Sequence, residues 1–131
     1  MRVFLDTNVL VAAFATRGLC EDVMRTVLAQ HELIVGEIVL FELERILEKK
    51  MGMPRSKVRA IVGFVRDQAK VIDPSVPAPW PENDADDQWV LAAALEGAAD
   101  ILVTGDQDLL EPPPEITLPI LTPRRFWESL R

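Results

Sequence analysis

The sequence has one cysteine, Cys20, and one histidine, His31, in 131 residues. A lone thiol cannot close an internal disulfide, which excludes a disulfide scaffold and points to a reducing compartment. With so few nitrogen and sulfur ligands, a zinc site or a Ser-His-Asp triad is nearly excluded as well. There is no glycine-rich phosphate loop of the Walker or GxGxxG kind. Long apolar runs are also missing. Val9–Ala15 spans seven residues and no run is longer, against the ~20 needed to cross a bilayer. That run follows a strand-like segment and an aspartate, not a basic leader, so neither a signal peptide nor a membrane association is expected. The expected location is the cytoplasm.

An excess of positive charge is missing too. Fourteen basic and 21 acidic side chains leave a net charge of −7, which argues against a nonspecific nucleic-acid coat protein. The charge is unevenly placed. Between Arg45 and Lys70, eight basic residues face only Glu48 and Asp67; from Val71 onward, twelve acids face three arginines. Such a division reads either as a solvated helical face beside an acidic half, or as a phosphate-binding flank beside an acidic pocket. What remains is ordinary globular composition, 49% hydrophobic and 27% charged, at a length that fits one domain over residues 1–131.

Periodicity predicts strands alternating with helices. Strands are expected at Arg2–Leu5, Glu32–Val35, Val71–Ile72, Ile101–Thr104 and Ile116–Leu121. Pro119 interrupts the last, which favours a sheet edge. Helices are expected from Asp6 through Phe14, at Glu21–Gln30, at Glu37–Lys50, from Ser56 onward, at Asp86–Ala98 and at Arg124–Leu130. In the fourth, Val58, Ile61, Val62 and Val65 recur at helical spacing. Thr122 is a fitting cap for the last, with Pro123 at its first position. Pro74, Pro77, Pro79 and Pro81 mark an extended loop. The alternation argues for a parallel sheet covered on both faces. In such sheets, sites collect at the carboxyl ends of strands.

Two strands end alike. Val3-Phe4-Leu5 runs into Asp6-Thr7-Asn8, and Ile101-Leu102-Val103 runs into Thr104-Gly105-Asp106. Asp84, Asp86 and Asp87 cluster at the start of the alanine-rich helix, and Glu42 sits between Phe41 and Leu43 on a helix whose apolar face could turn it inward. Each acid also has a plainer reading. Asp6 could cap a helix, Asp86 and Asp87 could favour a helix dipole, and Asp106 and Asp108 could be turn residues. Glu42 could pair with Arg45 or Arg66. Taken together, two strand ends and one helix start would crowd acids around one sheet edge. Carboxylates so close repel one another unless a cation sits between them. All-oxygen ligands suit Mg²⁺ or Mn²⁺. Such an ion in a small α/β domain suits phosphoryl chemistry, since it can activate water and neutralise the attacked phosphate without a protein nucleophile. The basic flank then supplies charge for a phosphate backbone, with single-stranded RNA as the natural substrate class.

The segments LDTNVLVAAF (5–14), GEIVLFELERIL (36–47), DADDQWVLAAALEGAADILVTGDQDLL (84–110) and ILTPRRFWESL (120–130) resemble PIN-domain nucleases. The resemblance is to the single-domain branch similar to VapC ribonucleases of toxin–antitoxin modules. It spans almost the whole chain, and its first and third blocks are the more specific. It implies a three-layer α/β/α sandwich with a parallel sheet of about five strands, and Mg²⁺- or Mn²⁺-dependent endoribonuclease activity. It also implies homodimers and a small antitoxin partner that blocks the pocket with a basic side chain. Position by position, it places the acids on Asp6, Glu42, Asp87 and Asp106, with Asp86 competing with Asp87 as a metal ligand. Asp108 is then an accessory acid, and Asn8 and Thr104 line the pocket. Arg45, Lys49, Arg55 and Lys57 are the expected RNA contacts. Glu44 lies roughly 200° around the helix from Glu42, so only one of the two can face the pocket. Gly36 departs from the Ser or Thr that many relatives carry before this helix, which puts a capping bond in question.

Other classes fit less well. A receiver-like phosphoacceptor switch also gathers acids at strand ends, but it needs a Lys after a later strand. Here Thr122-Pro123 follows Leu121. A catalytically silent binding module would have lost acids that are intact here. A non-toxin PIN nuclease of RNA processing is the remaining alternative.

Overall fold

The structure, a computed structural model, describes residues 1–80 and 85–130. Its elements run β1 (Arg2–Leu5), α1 (Thr7–Ala15), α2 (Leu19–Gln30), β2 (Glu32–Gly36), α3 (Glu37–Arg45), a π-helical turn (Ile46–Lys50) and α4 (Arg55–Gln68). They continue with β3 (Lys70–Ile72), α5 (Ala85–Glu96), β4 (Ile101–Val103), a 3₁₀ turn (Gln107–Leu109), β5 (Ile120–Leu121) and α6 (Pro123–Ser129). The strands form one sheet in the order β3-β2-β1-β4-β5, and every pairing is parallel. This is the expected three-layer α/β/α sandwich.

Parallel strands need crossovers, and right-handed crossovers decide which face each helix covers. The chain steps from β1 to β2 to β3 in one direction, then returns past β1 to lay down β4 and β5. Helices α1 to α4 therefore share one face, and α5, which joins β3 to β4, takes the other. The strand order reverses between β1 and β4. That is the point where an open parallel sheet leaves a crevice beyond its strand ends.

The sheet core reads as continuous apolar runs because both faces are covered. Phe4, Leu5, Ile34, Leu102 and Val103 are completely buried, as is Phe126 from α6. Truncating one such side chain to Ala costs about 2–5 kcal/mol. Val23 and Val27 belong to this core, while Phe41 at 64% and Phe64 at 43% are the exposed aromatics. The reading of Phe41 as part of the buried face of its helix is therefore corrected. Val39, Leu40 and Leu43 form that face.

Several boundaries also differ from expectation. The helix expected through Lys50 stays α-helical only to Arg45, then widens into the π turn, where Met51 N–H bonds to Ile46 O at 3.1 Å. Gly52, at φ 64°, ends it in the left-handed region that glycine tolerates. Helix α5 is shorter than expected at its end, stopping at Glu96. The last strand shrinks to Ile120–Leu121. It is an edge strand, as Pro119 suggested, and Pro119 contributes only its carbonyl, to Leu102 N–H at 3.0 Å. Asp84, noted in the sequence, lies outside the described residues.

Candidate active site

Asp6 is the first residue past β1, and its backbone N–H is still tied to β4 through Val103 O at 3.0 Å. It caps α1: Oδ1 accepts the Thr7 N–H at 2.7 Å. The capping reading and the pocket reading are thus both met by one side chain, because Oδ2 is turned toward β4. There it accepts the Thr104 hydroxyl at 2.8 Å and the Asn8 amide at 3.2 Å.

Thr104 is wholly buried. Its Oγ1 also accepts the Asp106 N–H at 3.0 Å and the Asn8 amide at 3.3 Å. With its lone pairs so engaged, its single proton goes to Asp6. Asn8 completes the brace: its Oδ1 accepts the Gly105 N–H at 2.8 Å, and a backbone donor must meet the oxygen, so the amide nitrogen faces Asp6. Both oxygens of Asp6 are therefore acceptors. Burial raises the Asp6 carboxyl above its ordinary value; the bonds from Thr104 and Thr7 oppose the rise, and the charge of Asp106 adds to it.

Asp106 follows β4 and opens the 3₁₀ turn, accepting the Asp108 N–H at 3.0 Å. Asp86 and Asp87 lie in the first turn of α5; Asp87 is buried and Asp86 exposed. Glu42 comes from α3 and pairs with Arg45 one turn on, at 2.7 Å. That pair holds the Arg45 guanidinium above its ordinary pKa, with a further attraction from Asp86.

These groups face one cleft of ≈240 Å³ at the reversal point of the sheet. Asp6, Asn8, Glu42, Asp86, Asp87 and Asp106 line it, with Ile38, Ile46 and Val90 as an apolar wall. Among the described residues, carboxylate oxygens of Asp87, Asp106 and Asp108 approach within 4.8 Å of one another. Asp6, Glu42 and Asp86 face the cleft without joining that trio. Thr104 lies beneath the cleft and holds two of its acids, where the sequence had placed it on the wall. Asp108 stands exposed at the edge. The donor set is all oxygen, and the charge of Asp106 adds to the cost of ionising Asp6. This chemistry fits a hard divalent cation.

Lys49, Arg55 and Lys57 do not line the cleft. Lys49 and Lys57 are exposed, and Arg55 leans on Glu48 at 3.6 Å. Arg66 is held by Glu37 in a forked pair at 2.7 and 3.0 Å. Sequence reasoning missed Ile46 and Val90 as cleft residues, because an apolar residue at helical spacing reads as core.

The family model of the PIN domain matches residues 2–108. The chain belongs to the PIN-domain family, and its fold is that of PIN-domain nucleases. No curated protein sequence matches it. Among solved structures it is similar to VapBC2 from Rickettsia felis bound to a DNA fragment from their promoter, with a TM-score of 0.65, 18% identity, and 92% of this chain and 97% of that one covered. It is also similar to VapBC-1 from nontypeable Haemophilus influenzae, with a TM-score of 0.61, 17% identity and coverage of 84% and 90%. PAE2754 from Pyrobaculum aerophilum gives a TM-score of 0.64, 15% identity and coverage of 99% and 89%. At these identities the likeness is one of fold. No helix among the described residues is long and apolar enough to cross a membrane.

Proposed function

We propose that this protein is a Mg²⁺- or Mn²⁺-dependent endoribonuclease and the toxin of a toxin–antitoxin pair. The observation that carries the reading is the meeting of acids from four separate segments, Asp6, Glu42, Asp87 and Asp106, in one cleft at the reversal point of the sheet. When bound, a divalent ion supplies positive charge for an attacked phosphate and lowers the pKa of a water nucleophile. Asp6, Asp87 and Asp106 are the proposed inner ligands, with Glu42 and Asp86 closing the cleft and Asp108 at its edge. Thr104 and Asn8 keep Asp6 an acceptor, ready for a cation. Asp87 is preferred to Asp86 because it is buried and belongs to the close trio.

The basic flank supports an RNA substrate. Arg45 pairs with Glu42, which lines the cleft, and Lys49, Arg55 and Lys57 belong to the same basic stretch of chain, with Lys49 and Lys57 exposed, which suits a phosphate backbone. The toxin reading rests on the VapBC likeness and the sequence resemblance. An antitoxin segment is supported by an apolar hollow of ≈280 Å³ between α1, α2 and α4, lined by Phe14, Met24, Leu28 and Phe64 among others. A homodimer is supported by the exposed Phe41 and Leu95 on α3 and α5, two helices in contact.

The test is to map RNA ends after incubation with the protein plus Mg²⁺ and with the protein plus a chelator. New ends that need the ion support the nuclease reading; identical end profiles overturn it. Growth arrest on expression, relieved by a small co-encoded protein, supports the toxin reading. Active enzyme that leaves growth untouched favours a PIN nuclease of RNA processing.

A further inference from the structure

A second hollow opens at the carboxyl end of the sheet, next to the acidic cleft. Asp106 lines the cleft, and Gln107, its neighbour in the chain, lines the hollow. The hollow measures ≈310 Å³ and lies between the 3₁₀ turn and β5. Leu110 and Ile120 give it an apolar wall. Gln107, Glu111, Thr122 and Arg125 give it polar groups.

The polar groups are available. Arg2, Arg25, Arg45, Arg55 and Arg66 each rest on an acid. Arg125 and Glu111 line the same hollow, yet among the described residues no hydrogen bond or ion pair engages either side chain, or the Gln107 amide. The Thr122 oxygen accepts the Arg125 N–H at 3.1 Å, which leaves the hydroxyl proton to donate elsewhere. A guanidinium and a carboxylate that share a cavity without closing on each other leave a slot with a donor side and an acceptor side.

The matching ligand has an apolar body, one edge of donors for Glu111 and one edge of acceptors for Arg125. A bare phosphate satisfies Arg125 and is repelled by Glu111. A nucleobase has the apolar faces. Guanine alone among the four pairs adjacent O6 and N7 acceptors with adjacent N1–H and N2–H₂ donors. Unpaired RNA exposes both edges for reading. We infer that this hollow is a guanine-selecting subsite for the RNA strand, beside the cleft where the strand is cut. The inference rests on the nuclease reading above for its substrate, and on the hollow's own side chains for its selectivity.

The experiment titrates guanosine, inosine, adenosine, cytidine and uridine into the isotope-labelled protein and follows backbone amide shifts, with chelator present. Inosine lacks the 2-amino donor. The expected result is movement of Gln107, Glu111 and Ile120, with guanosine on the order of ten-fold tighter than inosine. Glu111→Gln removes the preference for guanosine over inosine, and Arg125→Met weakens both. Equal binding of all five nucleosides, shifts confined to other regions, or an unchanged preference in Glu111→Gln overturns the subsite. The two readings fail separately. RNA cleaved without guanosine in the hollow removes only the subsite. Guanosine seated in the hollow of a protein that cuts no RNA removes only the nuclease.

Discussion

Thr104 donates its hydroxyl proton to Asp6 across 2.8 Å, joining residues 98 positions apart in the chain. The bond stitches the end of β4 to the end of β1 directly beneath the acidic cleft. Replacing Thr104 by Val keeps the shape and removes the donor to Asp6 and the acceptor for Asp106 and Asn8. The expected loss is about 1–3 kcal/mol in urea unfolding, the cost of leaving buried polar groups without a partner. Thr104→Ser is expected to stay near the parent. Equal stability of the Val variant would remove the brace from the account.

Asp6→Asn keeps an Oδ1 to cap α1 but places an amide against two donors, Thr104 and Asn8. The variant is expected to fold, with the circular-dichroism spectrum of the parent. Its RNA cleavage is expected to fall by more than the ~10–100-fold typical of losing an outer partner of a metal ligand. Parent-like cleavage by this variant would sink the proposed site.

Mg²⁺ or Mn²⁺ is expected to raise the melting temperature, because a ligand that binds only the folded chain stabilises it. At 100 times its dissociation constant the gain is about 2.7 kcal/mol. Asp106→Asn and Asp87→Asn are expected to shrink that gain, and a calorimetric scan with and without ion measures it. An equal shift in all three proteins would place the ion elsewhere.

Arg45 occupies Glu42 at 2.7 Å, so any cation entering the cleft competes with it for that carboxylate. Arg45→Gln is expected to bind Mn²⁺ a few-fold more tightly, and to hold single-stranded RNA more weakly with a shallower salt dependence. Mn²⁺ affinity can be followed by electron paramagnetic resonance. Unchanged affinity for both ligands would reduce Arg45 to a surface partner of Glu42.

Arg66 holds the Glu37 carboxyl below its ordinary value through a hydrogen bond, partly offset by burial. An acid whose folded pKa is depressed adds stability that is present above its unfolded pKa and fades as pH falls through the folded one. Both partners are more than a third exposed, at 48% and 39%, so solvent screening keeps the effect to about 0.2–1 kcal/mol. Arg66→Met is expected to lose that amount near neutral pH and nothing once Glu37 is protonated. A difference that persists into acid would have another cause.

The strand ends were legible in the sequence because a parallel strand buried on both sides leaves a solid apolar run, and an aspartate after it stands out. Asp6 and Asp106 could be named on that ground. Asp87 over Asp86 could not, because adjacent residues in a first helical turn share their dipole and capping advantages; burial separates them only once α5 is seated. Glu42 was ambiguous for a different reason. Its flanking Phe41 suggested an inward face, yet Phe41 is exposed, and the residue reaches the cleft while also pairing with Arg45. The Asn8–Gly105 and Thr104–Asp106 bonds depend on how two loops meet, which no spacing along the chain encodes. The π turn after Arg45 was likewise invisible, since its side chains keep a helical pattern.

Gly36 stands before α3 and gives it no side-chain cap. A Cβ added there would lie 2.8 Å from the Cβ of Ala93. Ala93 is on the same helix that carries Asp86 and Asp87, nearly two turns further along. The clearance between that helix and the tip of β2 is thus no wider than a hydrogen atom allows. Gly36→Ser would act as a wedge that forces β2 or α5 to shift, and Asp86 and Asp87 ride on α5. A residue with no functional group would then govern ion affinity through thickness alone.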